Sequence, residues 1–538
     1  MRRWNGWGDE ADHFPLKPEA QRFLAQQIGN GCPLPDATLE SVMDQVPASR
    51  LPAHPLVSMD PEQRVRHARG QSLPDWLAMR SGNMAPFPDG VAFPDSNADV
   101  RALLQYAQQN DVELITYGGG SSVVGHINPR DCDRATLTVD MKNFNRLLHL
   151  DPISQLATFG AGTPGPLLES QLSAQGYMLG HFPQSWELST LGGWVASRSS
   201  GQQSLRYGRI EQLFAGATVE TMAGTLTIPT LPASSAGPDL RELILGSEGR
   251  LGIITDVSVR ISPLPEQEHF YVVFFPDWDS GISAVRTLAQ ARVPLSMMRL
   301  SNPRETWTQL KLAGHEHAIS VLEGYLSLRG ASRNKCMFTF GVTGSKADCK
   351  AILTQANRLL RGFGGVNTGT LLGNKWRENR FRSPYLRHGL WELGYAVDTL
   401  ETAVDWARVP ATVDAIENAI RNTLKMAREN IHVFTHLSHV YGQGSSIYTT
   451  YVFRCGKTYA ETQDRWRRMK QAASQAIIKQ GGTISHQHGV GTDHAPYLKA
   501  EKGELGIATL RALCRHFDPS GNMNPGKLLP EDSNHDGP

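Results

Sequence analysis

The chain lacks any run of about 18 apolar residues, so no segment reads as a membrane span. It lacks a charge excess. Its 53 Lys and Arg against 52 Asp and Glu leave a net charge of +1, which gives no overall electrostatic case for nucleic acid. It lacks paired cysteines. Cys32, Cys132, Cys336, Cys349, Cys455 and Cys514 show no C-x-x-C spacing, and they read as reduced thiols rather than a disulfide frame or a zinc site. No signal peptide opens it, because "MRRWNGWGDEADHF" turns polar and acidic at once. The polar end "SNHDGP" carries no peroxisomal or endoplasmic-reticulum address. A cytoplasmic protein is expected, with peripheral contact to a membrane and a homodimer both left open. No repeat of 20–50 residues is visible.

What is present is length, glycine and alternation. At 538 residues the chain exceeds one core, so two or three domains are expected. Residues 1–85 are rich in proline and charge and read as a wrapping segment. A βαβ unit follows: "GVAFP", a helix "NADVRALLQYAQQN" capped by Asp95 and Ser96, then "VELITY". That strand runs into "GGGSSVVGH", a loop that brings backbone N–H groups close to an anion. No Gly-Lys-Ser/Thr follows, and no helix opens at once, so neither a P-loop nor a dinucleotide fingerprint fits. "QLFAGATVETMAGTLTIP" reads as a hairpin turning at Ala223-Gly224. Composition shifts near 265. Beyond it, "HFYVVFFP", "PLSMMRL", "CMFTFGV" and the strand pair in "IHVFTHLSHVYGQGSSIYTTYVFR" interleave with two or three helices, which predicts an antiparallel α+β layer.

Three blocks together carry more than pattern: "VAFPDSNADV…ITYGGGSSVVGH", "GHFPQSWELSTLGGWVASRSSGQQSLRYGRIEQL" and "LILGSEGRLGIITDVSVRISPLP". In that order they resemble the FAD-binding domain of vanillyl-alcohol-oxidase-type (PCMH-type) flavoproteins. The resemblance implies an α+β fold, with a two-subdomain FAD-binding domain and an antiparallel-sheet cap. The expected division is 1–85, 86–265, 266–480, and a 481–538 segment returning to the FAD domain. It implies that Gly118, Gly119, Gly120, Ser121 and Ser122 cradle the FAD pyrophosphate. Pro183, Ser185, Thr190, Gly193, Ser197 and Gly201 would line the isoalloxazine side, with Glu248 and Ile254 in the third block. The glycine loop has no histidine where covalent members attach flavin, so non-covalent FAD is implied.

"RRWNGWG", "LETAVDWARV", "GQGSSIY" and "GGTISHQHGVG" extend a narrower resemblance along nearly the whole chain, to the alkyldihydroxyacetonephosphate synthases of ether-lipid synthesis. That resemblance implies a small-molecule or lipid substrate, exchange of an acyl ester for an alkyl ether, Tyr448 as acid/base, and His486 and His488 as assisting groups. Imidazole titrates near neutrality, which suits the task. Three consecutive histidines in those synthases are here interrupted by Gln487. Arg299 matches an arginine near the substrate, while His436 stands where the synthases have a second arginine. FAD-linked oxidoreductases of 2-hydroxy acids or polyol phosphates are the alternative. They share His488, but their metal-binding His…His pair is broken here by Tyr448. His436 and His439, three apart in a strand, should face opposite ways, and no metal site is expected. The basic cluster "KWRENRFRSPYLR" reads either as a solvated helix face or as a substitute phosphate grip.

Overall fold

A computed structural model describes residues 1–312 and 316–530. The "SNHDGP" end lies outside the described residues. Strand Glu113–Tyr117 pairs in parallel with Thr136–Asp140, which pairs in parallel with Gly90–Ala92. The intervening helix Asn97–Gln109 starts at Ser96, whose side chain and that of Asp99 form a reciprocal capping box. In such a unit the carboxyl ends of the strands are where ligands sit, and the glycine loop leaves from that end of Glu113–Tyr117. A second, antiparallel sheet of five strands holds Phe214–Thr221 and Gly224–Ile228. Its hairpin turns at Met222-Ala223, one residue earlier than expected.

The cap is a seven-stranded antiparallel sheet. Alternation with period two divides its faces. Leu300, Val433, Leu437, Ile447, Tyr451 and Leu400 go into the main core under the cap helices. Arg299, Phe434, His436, Tyr448, Thr399 and Val397 line the opposite face, toward the FAD-binding part. Ser301 pairs with His436, His436 with Tyr448, and Tyr448 with Glu401. Directly opposed residues share a face, so one row of polar side chains crosses four strands.

The arrangement departs from expectation in several places, and the cap carries more helices than the two or three expected, Pro303–Leu312, Glu316–Leu328 and Val409–Thr423 among them. A register irregularity between Leu437 and Val440 turns both of these residues into the core. His436 and His439 therefore both point away from it, and not to opposite faces. The strand Tyr395–Asp405 and the helix Leu498–Phe517 also went unforeseen. Charged and threonine positions dilute the first, and Gly503 at φ +69° interrupts the second.

The leading segment does not wrap the FAD-binding part alone. Trp7, Val42, Val65 and Trp76 belong to the same core as the cap's Trp391 and Trp406. At the other end, Leu114 receives two backbone bonds from the C-terminal segment, to Asn522 and from Asn524.

Candidate active site

A cavity of about 520 Å³ lies between the glycine loop, the Pro183–Ser200 segment, the polar face of the cap sheet and the loop around His488. Among the described residues, the amides of Gly118, Gly119, Gly120, Ser121 and Ser122 have no protein acceptor. The Gly119 carbonyl is held from behind by Arg2. Gly120 adopts φ +63°, a conformation that glycine permits without strain. Pro183, Ser185, Thr190, Gly193, Ser197, Glu248 and Ile254 all line the cavity. Gly201 does not. It packs against the backbone of Phe182 and His181, where a side chain has no room. Glu248 lines the wall but is occupied, since its carboxylate accepts from the amides of Val490 and Gly491, the latter at 2.8 Å. It anchors the C-terminal loop.

Tyr448 is buried, with Oη 3.1 Å from Thr399 Oγ1 and 3.4 Å from Gln184 Oε1. Burial pushes its phenol up to about 12, so it is protonated at neutral pH. Its ring stacks on His436 at 4.9 Å and meets His488 edge-on at 6.0 Å. His488 reaches the cavity, and its Nδ1 faces Glu401 Oε1 at 3.4 Å.

His486 is not on the cavity wall. Its Nε2 lies 2.7 Å from both Arg209 Nη1 and Tyr441 Oη. A guanidinium only donates, so Nε2 is the acceptor and the ring proton sits on Nδ1. Burial, the neighbouring His439 and Arg209 hold this imidazole well below its usual range. It is a neutral member of a buried network, without access to substrate.

Arg299 lines the cavity but is already engaged. Its Nη2 donates to Glu305 Oε1 at 2.6 Å and to His436 Nδ1 at 3.1 Å. Burial works against the Glu305 charge, yet His436 and Arg299 outweigh it and hold the carboxyl down to about 2. A second cation stands on the wall. Arg387, from the basic cluster, is mostly buried there, donates to the carbonyl oxygens of Gln71 and Val397, and lies 3.8 Å from Asp398 Oδ1. Arg380 of the same cluster instead sits against Phe182 and Phe381. Glu305, Arg387 and Glu401 were missed as site residues. Arg387 and Glu401 lay inside quoted motifs, but nothing local distinguished them from their neighbours. Among the described residues, no group of three or more His, Cys, Asp or Glu is placed to hold a metal ion.

Residues 88–228 match the family described as FAD binding domain, and residues 264–528 match that described as FAD linked oxidases, C-terminal domain. The alkyldihydroxyacetonephosphate synthase of Dictyostelium discoideum is 30% identical over 98% of this chain and 93% of its own length. The chain belongs to the alkyldihydroxyacetonephosphate synthase family. A solved structure of such a synthase covers 97% of this chain and 98% of its own, at 27% identity and a TM-score of 0.82. An uncharacterised FAD-linked oxidoreductase of Escherichia coli K12 is 27% identical over 83% of this chain and 90% of its own. The family is FAD-dependent, and the wall of this cavity suits the cofactor. Five successive amides without a protein acceptor belong to a cavity-lining loop of small residues, which suits a pyrophosphate. Thr116 Oγ1, Gln487 Oε1 and Asn524 Oδ1 are buried and unpartnered, and their residues line the same cavity.

The glycine loop itself carries no histidine, and His126 just beyond it holds Nδ1 at 2.8 Å from Ser122 Oγ while its Nε2 lies 3.2 Å from Glu248 Oε1 without a hydrogen bond. Acid precipitation of this family member should therefore release its yellow colour into the supernatant. Flavin that stays with the pellet would show a covalent link.

Proposed function

We propose that the protein exchanges the acyl ester of an acylated dihydroxyacetone phosphate for the alkyl ether of a fatty alcohol. The observation that carries this reading is the cavity's two-ended character. One end holds Tyr448, His488 and Arg387. The other is walled by Leu16, Leu24, Leu312, Leu390, Phe434 and Val452. A polar head and a long hydrocarbon chain fit those ends in turn, because burying methylene groups contributes about 0.8 kcal/mol each.

When bound, FAD would supply the electron sink that lets the bond between the substrate carbon and the ester oxygen break before the ether bond forms. The protein's part is binding and proton movement. The leaving acid departs as a carboxylate and takes no proton. The entering alcohol must lose its O–H proton, and His488 Nε2, which makes no hydrogen bond to the described residues, is the nitrogen available to accept it. Tyr448 Oη moves the proton on the substrate carbon that changes partners, as the tyrosinate when it takes that proton and as the phenol when it returns it. Arg387, whose pair with Asp398 at 3.8 Å is looser than that of Arg299 with Glu305 at 2.6 Å, supports the phosphate. His486 keeps the loop in place from behind. Peripheral contact with a membrane would supply such a lipid. Val321, Tyr325 and Leu328 of the helix Glu316–Leu328 are exposed and available for it.

The test is anaerobic incubation of the holoenzyme with acylated dihydroxyacetone phosphate and a labelled fatty acid. Label should enter the ester while the oxidised flavin band returns in full without any acceptor. Complete bleaching by a 2-hydroxy acid or a polyol phosphate, reversed only by an added acceptor and with no label exchanged, would make the protein an oxidoreductase instead.

A further inference from the structure

Glu401 stands at the end of the polar row, next to Tyr448 across the strand pair. It is almost completely buried, at 2% exposure. Its Oε1 accepts from the backbone amides of Gln487 at 2.6 Å and His488 at 2.7 Å, and the same oxygen faces His488 Nδ1 at 3.4 Å. Its Oε2 is buried without a hydrogen-bond partner and lies 4.0 Å from the protonated Nδ1 of His486, which is equally unpartnered. One carboxylate thus sits between the two imidazoles of the loop. A buried acceptor left half-used beside a proton-moving histidine costs stability unless its charge serves that histidine.

We propose that Glu401 is the positioning residue for His488. It draws the ring proton to Nδ1, turns Nε2 to the cavity as the acceptor, and through its charge supports the proton that this nitrogen takes up. The proposal rests on the reading of His488 as the base of the exchange. The groups packed around the pair do not compete for this role. His439 is held down to about 3, by burial and then Arg209. His486 and His494 are also held low, chiefly by burial. The phenols of Tyr441 and Tyr448 are raised, again chiefly by burial. Arg209 is charged but is bound to Glu211 and to the far side of His486. Arg299 and Glu305 neutralise each other beyond Tyr448.

Glu401→Gln in the holoenzyme keeps an oxygen for the two amides and removes only the charge. The first readout needs no turnover: the rate at which diethyl pyrocarbonate carbethoxylates His488, followed by peptide mass spectrometry across the pH range. A carboxylate favours the charged form of an imidazole beside it, so the half-maximal rate should fall to lower pH in the variant. The acid limb of kcat/KM for acyl exchange should move the same way, with kcat reduced and FAD retained. Glu401→Asp, which keeps the charge, should keep the wild-type pH dependence of modification. If Glu401→Gln fails to hold FAD, Glu401→Thr removes the charge with a strand-favouring residue and serves the same test. Unchanged pH dependence of modification after loss of the charge would overturn the proposal and leave Glu401 as a loop anchor alone. A shifted modification profile in a protein that exchanges no acyl group would uphold Glu401 and refute the exchange reaction.

Discussion

Replacing Gly119 by alanine is expected to strip the protein of FAD, with flavin per chain falling to near zero by absorbance while the circular dichroism spectrum is kept. A Cβ on Gly119 would run into the Leu188 carbonyl oxygen and crowd Ser189. Leu188 belongs to the segment that forms the opposite wall, so neither side yields without moving the other. The loop has to lift, and the five amides lose their common aim. Hydrogen bonds to a charged phosphate are roughly twice as strong as neutral ones, so scattering several of them outweighs ordinary binding energy. Gly442→Ala is the control, because a Cβ there meets nothing within 4 Å, and it should bind FAD normally. Stoichiometric FAD in Gly119→Ala would remove the loop from the cofactor site.

Tyr448→Phe should bind FAD and fold as before, yet lose acyl exchange by about 10²–10⁴-fold, the usual worth of a general acid–base group. The ring's stacking on His436 is untouched by the change. Only the contacts of Oη to Thr399 and Gln184 go. With its phenol pushed up to about 12, Tyr448 holds its proton at neutral pH and has one to return. Labelled fatty acid incorporation, set against flavin content, measures the effect. Exchange within threefold of wild type would assign the proton on carbon to another group, with His488 and His436, which both touch the Tyr448 ring and line the cavity, as the candidates.

What could be read from the sequence divides along a physical line. The glycine loop and the capped helix before it are local devices, and their chemistry shows in adjacent residues. The alternation in "IHVFTHLSH" and "SSIYTTYVF" is local too, and it gave the cap strands. The bulge after Leu437 was invisible, because one extra residue shifts which side His439 faces without changing its neighbours. Arg299 was read as a free grip because Glu305 lies six residues on, across a turn into a helix. His486 and His488 look equivalent in "SHQHG". Arg209, almost 280 residues earlier, is what takes one of them out of the cavity. Partners brought together by tertiary structure decide charge and access, and no window of sequence contains them.

The bonds between Leu114 and the Asn522–Asn524 stretch have a consequence for synthesis. The strand that delivers the glycine loop gains its last neighbour from residues made some 400 positions later. On a ribosome that builds from the N-terminus, the early part of the chain folds against a strand edge that stays unpaired until residues 522–524 have been made. A chain stopped short of Asn522 therefore presents that bare edge where the finished protein has a covered one. The segment that covers the edge also brings Asn524 to the cavity wall, so protection from edge-to-edge pairing and completion of that wall come together.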